Sequence, residues 1–141
     1  MSPTFMGTDF RYSPRMACFH VHGDAAGETH LTRLELPVKE TYAGTVRGLN
    51  DIPATTMGMG EFVGRKPDGG MHEAPRRQFV VVLRGELELV TSLGEQQRLR
   101  PGDVLLADDI GSKGHISRDA GEEPLMLMSI GIGGDWAGPE A

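Results

Sequence analysis

The run from Arg77 to Leu83, closed by Gly85, limits the possible folds more than any other part of the chain. Phe79, Val80, Val81, Val82 and Leu83 follow one another without a polar break, which is strand composition. A strand apolar on both faces cannot be an edge facing water. One face is expected to look into a barrel, the other against a second sheet or a partner subunit.

Around this run, short segments of strand character recur between turn residues, at roughly the 8–12-residue spacing of a sandwich or barrel. Cys18 to His22, His30 to Leu36 (closed by Pro37), Thr45 to Arg47 and Thr55 to Val63 precede it. After Gly85, Glu86-Leu87-Glu88-Leu89-Val90 alternates, which predicts a half-exposed strand with Leu87 and Leu89 inward. Ser92-Leu93-Gly94-Glu95 predicts a hairpin turn, Gln96 to Arg100 a returning strand, and Pro101-Gly102-Asp103 another turn. Val104 to Ala107, His115 to Arg118 and Leu125 to Ile132 complete the set, with Pro124 allowed at the start of its strand. Gly64 to Gly70 is a loop by composition. No convincing helix is found, so the chain is expected to be all-β with little or no helix.

A length of 141 residues with 38% apolar and 24% charged residues predicts one soluble domain over 1–141. Residues 1–15 read as an N-terminal arm and 133–141 as a loose tail that Trp136 could dock. A formal net charge of −6 without a clustered basic surface argues against nucleic acid. Cys18, the single cysteine, excludes an internal disulfide and reads as a small buried residue. With no apolar run long enough for a leader or a membrane span, a cytoplasmic protein is expected.

Residues able to do chemistry gather between Met71 and Arg118. His72-Glu73-Ala74-Pro75-Arg76-Arg77-Gln78 leads into the apolar run, and Pro101-Gly102-Asp103 and Gly114-His115 answer it. These segments resemble the two-part signature of the cupins. The usual first motif has two histidines one residue apart, then a glutamate, then a glycine. Counting back from Gly85 places Gln78 in the glutamate slot, His72 in the first histidine slot and Ala74 in the second. Gly102 opens the second motif and His115 ends it, with Asp108 where the motif has proline. The stretch is also similar to a group of small cupin-domain proteins with a His-x-Ala-Pro-x-Arg-Gln core and an Asp…Gly-x-Gly-His turn. The resemblance implies a cupin-type jelly-roll β-barrel (a double-stranded β-helix), often a homodimer, with the motif residues lining its wide mouth.

In such a mouth, imidazoles and a carboxylate would hold one divalent metal ion. Here the candidate ligands are His72, His115 and Gln78, with Asp109 as a further possibility. Alanine gives no donor and glutamine only a neutral carbonyl oxygen, so an ion would keep its charge in a partly dehydrated pocket. Arg76 shares the parity of His72 and Gln78 and is a candidate for a ligand carboxylate or enolate; a solvated salt bridge is the simpler reading. Gln78 has an equally simple one, tying two strands through its amide. Val80, Asp109 and Met59 are further substrate contacts. Of Met57, Met59, Met71, Met126 and Met128, with Phe62 and Phe79, most are expected in the core and one or two in the pocket.

Two further motifs carry ligand-type side chains. His20-Val21-His22, with Asp24 and His30 near, puts two imidazoles on one strand face and is a competing metal site. Asp108-Asp109 reads as a base pair, as the anchor that orients His115, or simply as turn formers.

Two classes of function follow. In the first, a small enzyme binds an enolisable carbonyl compound, His72 or His115 moves a proton, and Gln78 or Arg76 steadies an oxyanion; isomerisation, cyclisation or a lyase or dehydratase step would suit. In the second, the protein binds, senses or carries a small molecule without catalysis. A metal-dependent dioxygenase is a further alternative.

Overall fold

The computed structural model describes residues 18–34, 39–44, 46–48, 52–63, 70–134 and 136. The expected arm over 1–15, the loop from Gly64 to Gly69 and most of the tail lie outside the described residues. No helix occurs among those that are described. The strands are β1 (Cys18–Gly23), β2 (Thr29–Leu34), β3 (Lys39–Thr41), β4 (Val46–Gly48), β5 (Ala54–Glu61), β6 (Gln78–Arg84), β7 (Leu87–Thr91), β8 (Gln96–Leu99), β9 (Val104–Asp108), β10 (His115–Asp119) and β11 (Met126–Ile132). Among the described residues, no helix is long and apolar enough to cross a membrane.

Six strands form one sheet in the order β2-β1-β9-β6-β11-β5, three form another in the order β10-β7-β8, and β3 and β4 pair separately. The architecture is that of a β-sandwich. A closed barrel was expected, and among the described residues the strands stay in separate sheets. Most pairings are antiparallel, but β9 runs parallel to β1, with Val104 opposite Cys18 and Asp108 opposite His22.

The main core lies between the two larger sheets. Phe19 and Val21 of β1, Val80 and Val82 of β6, and Leu105 and Ala107 of β9 meet Leu87 and Leu89 of β7 and Leu99 of β8. Leu87 and Leu89 are 2% and 0% exposed, so the alternation after Gly85 is realised as read. Gly85 itself, at φ 79°, sits where a Cβ would come within 2.9 Å of the Glu123 carbonyl oxygen. Only glycine is comfortable there.

A second, smaller core covers the opposite face of the large sheet. Cys18, Phe79, Leu106 and Ile132 are buried in it, with Trp136 packed against them. Trp136 is fixed by its carbonyl, which accepts a hydrogen bond from Arg77 Nη1 at 2.7 Å, and its ring lies 5.0 Å from the Arg77 guanidinium. The outward face of the Val-rich strand is therefore covered from within the chain at Phe79, while Leu83 at its far end is 40% exposed.

Three sequence expectations need correction. Pro124 precedes its strand, which begins at Met126. Lys39–Thr41, unforeseen, pairs with Val46–Gly48 across a turn with positive φ at Tyr42, Ala43 and Gly44. Met57, one of the methionines expected mostly in the core, is 63% exposed, and Met59, read as a substrate contact, is 69% exposed. They stand on β5, which ends its sheet and pairs only with β11 among the described strands.

Candidate active site

His72 lies outside any named strand, yet the backbone holds it against His115. His72 N–H donates to the His115 carbonyl and His115 N–H to the His72 carbonyl, each at 2.9 Å. This single antiparallel bridge puts the two rings 4.8 Å apart, centroid to centroid, because directly opposed residues project to the same side. Gly114 makes the approach possible. Its φ is 84°, and a Cβ there would lie 2.4 Å from the His72 carbonyl oxygen, an overlap no side chain tolerates.

Asp109 fixes the imidazole of His115. It is fully buried, its Oδ2 lies 2.6 Å from His115 Nδ1, and its Oδ1 accepts the Ala74 N–H at 2.9 Å. A carboxylate can only accept, so the neutral His115 ring carries its proton on Nδ1 and its lone pair on Nε2. Burial opposes the Asp109 charge, but the bonds from His115 and Ala74 outweigh it and hold the carboxyl below its ordinary range. His72 is exposed, with Nδ1 3.2 Å from the Gly70 carbonyl. The same reasoning leaves Nε2 as its lone-pair nitrogen.

These rings border an apolar cavity of about 340 Å³ lined by Phe62, His72, Ala74, Pro75, Gln78, Val80, Leu87, Leu105, Ala107, His115, Ser117 and Leu127. A second hollow of about 380 Å³, which includes Met59, shares Phe62, Gln78, Val80 and Leu127 with it. Gln78 stands at their junction, and its Oε1 is buried without a hydrogen-bond partner among the described residues. The strand-tying role imagined for this amide thus has no bond behind it, and a buried unpaired acceptor is uncommon enough to need a reason.

Of the residues singled out from sequence, His72, His115, Gln78 and Val80 line the first cavity and Met59 the second. Asp109 stands behind His115 with both oxygens engaged. Arg76 is exposed and absent from both linings, with its Cδ beside Gly131. Ser117, on β10 two residues beyond His115, also faces the cavity; its parity with His115 was the signal that would have found it. Asp108 and Asp109 part company at the end of β9. Asp108 turns to the other side, where its Oδ2 meets His20 Nε2 at 3.1 Å.

No group of three or more His, Cys, Asp or Glu side chains among the described residues could hold a metal ion. The cavity offers two imidazole nitrogens and the Gln78 carbonyl oxygen, a wholly neutral donor set. It does not fit a dication well in this partly dehydrated cavity, where an ion could not keep its water shell and the Asp109 carboxylate is committed to His115 and Ala74.

No family model matches the chain, and no curated protein does. Among solved structures it is similar to protein NMB1881 from Neisseria meningitidis, at 13% identity and a TM-score of 0.44, over 65% of this chain and 93% of that one.

Proposed function

We propose that the chain is a cupin-type jelly roll whose cavity binds a small, largely apolar carbonyl compound and moves a proton on it. The observation that carries this reading is the His115–Asp109 pair at the cavity wall. The buried carboxylate fixes the tautomer and leaves Nε2 as a base. His115 Nε2 takes the proton next to the substrate carbonyl, and the imidazolium that forms is steadied by Asp109. The proton then returns to a different carbon, giving an isomer, or to a departing hydroxyl, giving a dehydration. Gln78 turns its amide N–H toward the oxygen on which enolate charge develops. His72, across the bridge, is the second group able to give or take a proton. Asp109 is a positioning residue, and Arg76 has no part in the reaction.

No step here passes through a metal ion, because the neutral donors suit one poorly. A homodimer remains part of the proposal and is checked by sedimentation at micromolar concentration.

The test is proton exchange. Small ketones, lactones and enolisable acids in D₂O, followed by NMR, should lose the hydrogen next to the carbonyl in the presence of the protein. The His115→Ala protein should keep ligand binding while exchange falls by roughly 10²–10⁴-fold. Binding without exchange across the panel would show a non-catalytic binder instead.

A further inference from the structure

Three histidines lie in a row on the face of the large sheet that points away from the cavity. Along β1, Phe19 and Val21 enter the main core, so His20 and His22 project from the other side. The His20 and His22 ring centroids are 4.5 Å apart. His30 on β2 lies directly opposite His22 in the strand register, its ring 5.9 Å away. Each outer ring is backed by a carboxylate: His20 Nε2 by Asp108 Oδ2 at 3.1 Å, and His30 Nε2 by Asp24 Oδ2 at 2.7 Å. Asp108 is itself held, with Oδ1 3.5 Å from Arg77 Nε.

We propose that His20 and His22 chelate a divalent transition-metal ion, with Asp108 as the outer carboxylate that orients His20. Imidazoles at alternate positions of a strand present two borderline-soft nitrogens on one face, the donor chemistry of zinc, nickel and copper. A carboxylate that accepts from one ring nitrogen leaves the other as the metal-binding lone pair and raises its basicity, as in carboxylate–histidine–metal triads. For His20 that lone pair is Nδ1, because Nε2 faces Asp108. Three side chains do not converge as they stand, so the chelate has two protein ligands and water completes it. His30, drawn toward Asp24, is a neighbour and not a required ligand. Because Asp108 belongs to β9 and both ligands to β1, the bound ion would brace the parallel β1–β9 pairing. The site shares no residue with the cavity and does not depend on its function.

Zinc and nickel titrations of the whole protein, free of any histidine tag, test this by calorimetry and by ¹⁵N NMR of the histidine rings. One ion per chain should bind and raise the melting temperature. His22→Ala should abolish the binding, Asp108→Asn should weaken it ~10–100-fold, and His30→Ala, His72→Ala and His115→Ala should leave it within twofold. The His20 resonance that moves on metal addition should be Nδ1. The proposal is overturned if neither ion binds, if binding follows His72 or His115, or if His20 is metallated at Nε2. A far-UV spectrum of His22→Ala matching the parent distinguishes a lost ligand from a lost fold.

Discussion

Imidazole–carboxylate pairs lie on both sides of the large sheet, His115 of β10 with Asp109 on the cavity side and His20–Asp108 and His30–Asp24 on the outer face. The most buried and the most open of them live in different electrostatic worlds. On the inner side, Asp109 is fully buried and hands His115 a single orientation. On the outer side, His30 and Asp24 make a bond of similar length, 2.7 Å, with side chains 34% and 39% exposed. Bond length does not separate them; solvent does. Water competes for the outer pair and screens it, whereas the inner carboxylate has only protein partners. Of the two, the buried pair is the one able to hold a lone pair in a fixed direction.

The sharpest way to break the contrast is at Gly114. Gly114→Ala forces a methyl group onto the His72 carbonyl and adds strain at positive φ. It is expected to cost roughly 1–3 kcal/mol, read from urea midpoints. Proton exchange in the cavity should disappear with it, while metal binding on the outer face persists.

Asp109→Asn comes next. The asparagine can still bond the Ala74 N–H, but it offers no charge to a protonated His115, so exchange should fall ~10²-fold or more. The acid limb of stability tests the same residue. The Asp109 carboxyl is held below its ordinary value of 3.8, so its stabilisation is complete above that value and lost as the pH falls through the lower folded one. Urea midpoints between about pH 2 and 6 should therefore drop less steeply for Asp109→Asn than for the parent. Parallel curves would remove Asp109 from this account.

Cys18 probes the smaller core between the two sites. Burial pushes its thiol up to about 11, so at pH 8 a thiol reagent should not react until denaturant opens the sheet. Rapid labelling of the native protein would mean that the outer face is looser than described.

The smallest effect belongs to Asp24→Asn. The bond to Asp24 raises the His30 pKa above its ordinary value, and the variant should bring that NMR titration back down with no measurable change in melting temperature. A clear loss of stability would mean that the exposed His30–Asp24 pair is not screened by solvent.

Most strand positions were legible because alternation and turn residues act over a few neighbours; β6, β7 and the turn at Gly94 needed nothing more, whereas β3 gave no such signal. The meeting of His72 and His115 could be read only through motif spacing, since their bridge joins distant segments. An aspartate anchoring His115 was among the readings of the Asp108-Asp109 pair, but which of the two would do it was hidden. Asp108 and Asp109 look alike in sequence, and only the pleat of β9 sends one outward and the other in. Likewise, Met57 has core composition, but its exposure depends on β5 lying at an edge, which no local pattern encodes.

The parallel pairing of β1 with β9 has a kinetic consequence. It joins residues as far apart as His20 and Asp108, 88 positions along the chain. Contacts of that span pay their loop entropy before they return any stabilisation, so they tend to form late. The β7–β8 hairpin, by contrast, closes through the short Thr91–Glu95 turn and can form early. In refolding, hydrogen-exchange protection should reach Leu89 before Val21, and the outer histidine row should assemble among the last features of the molecule.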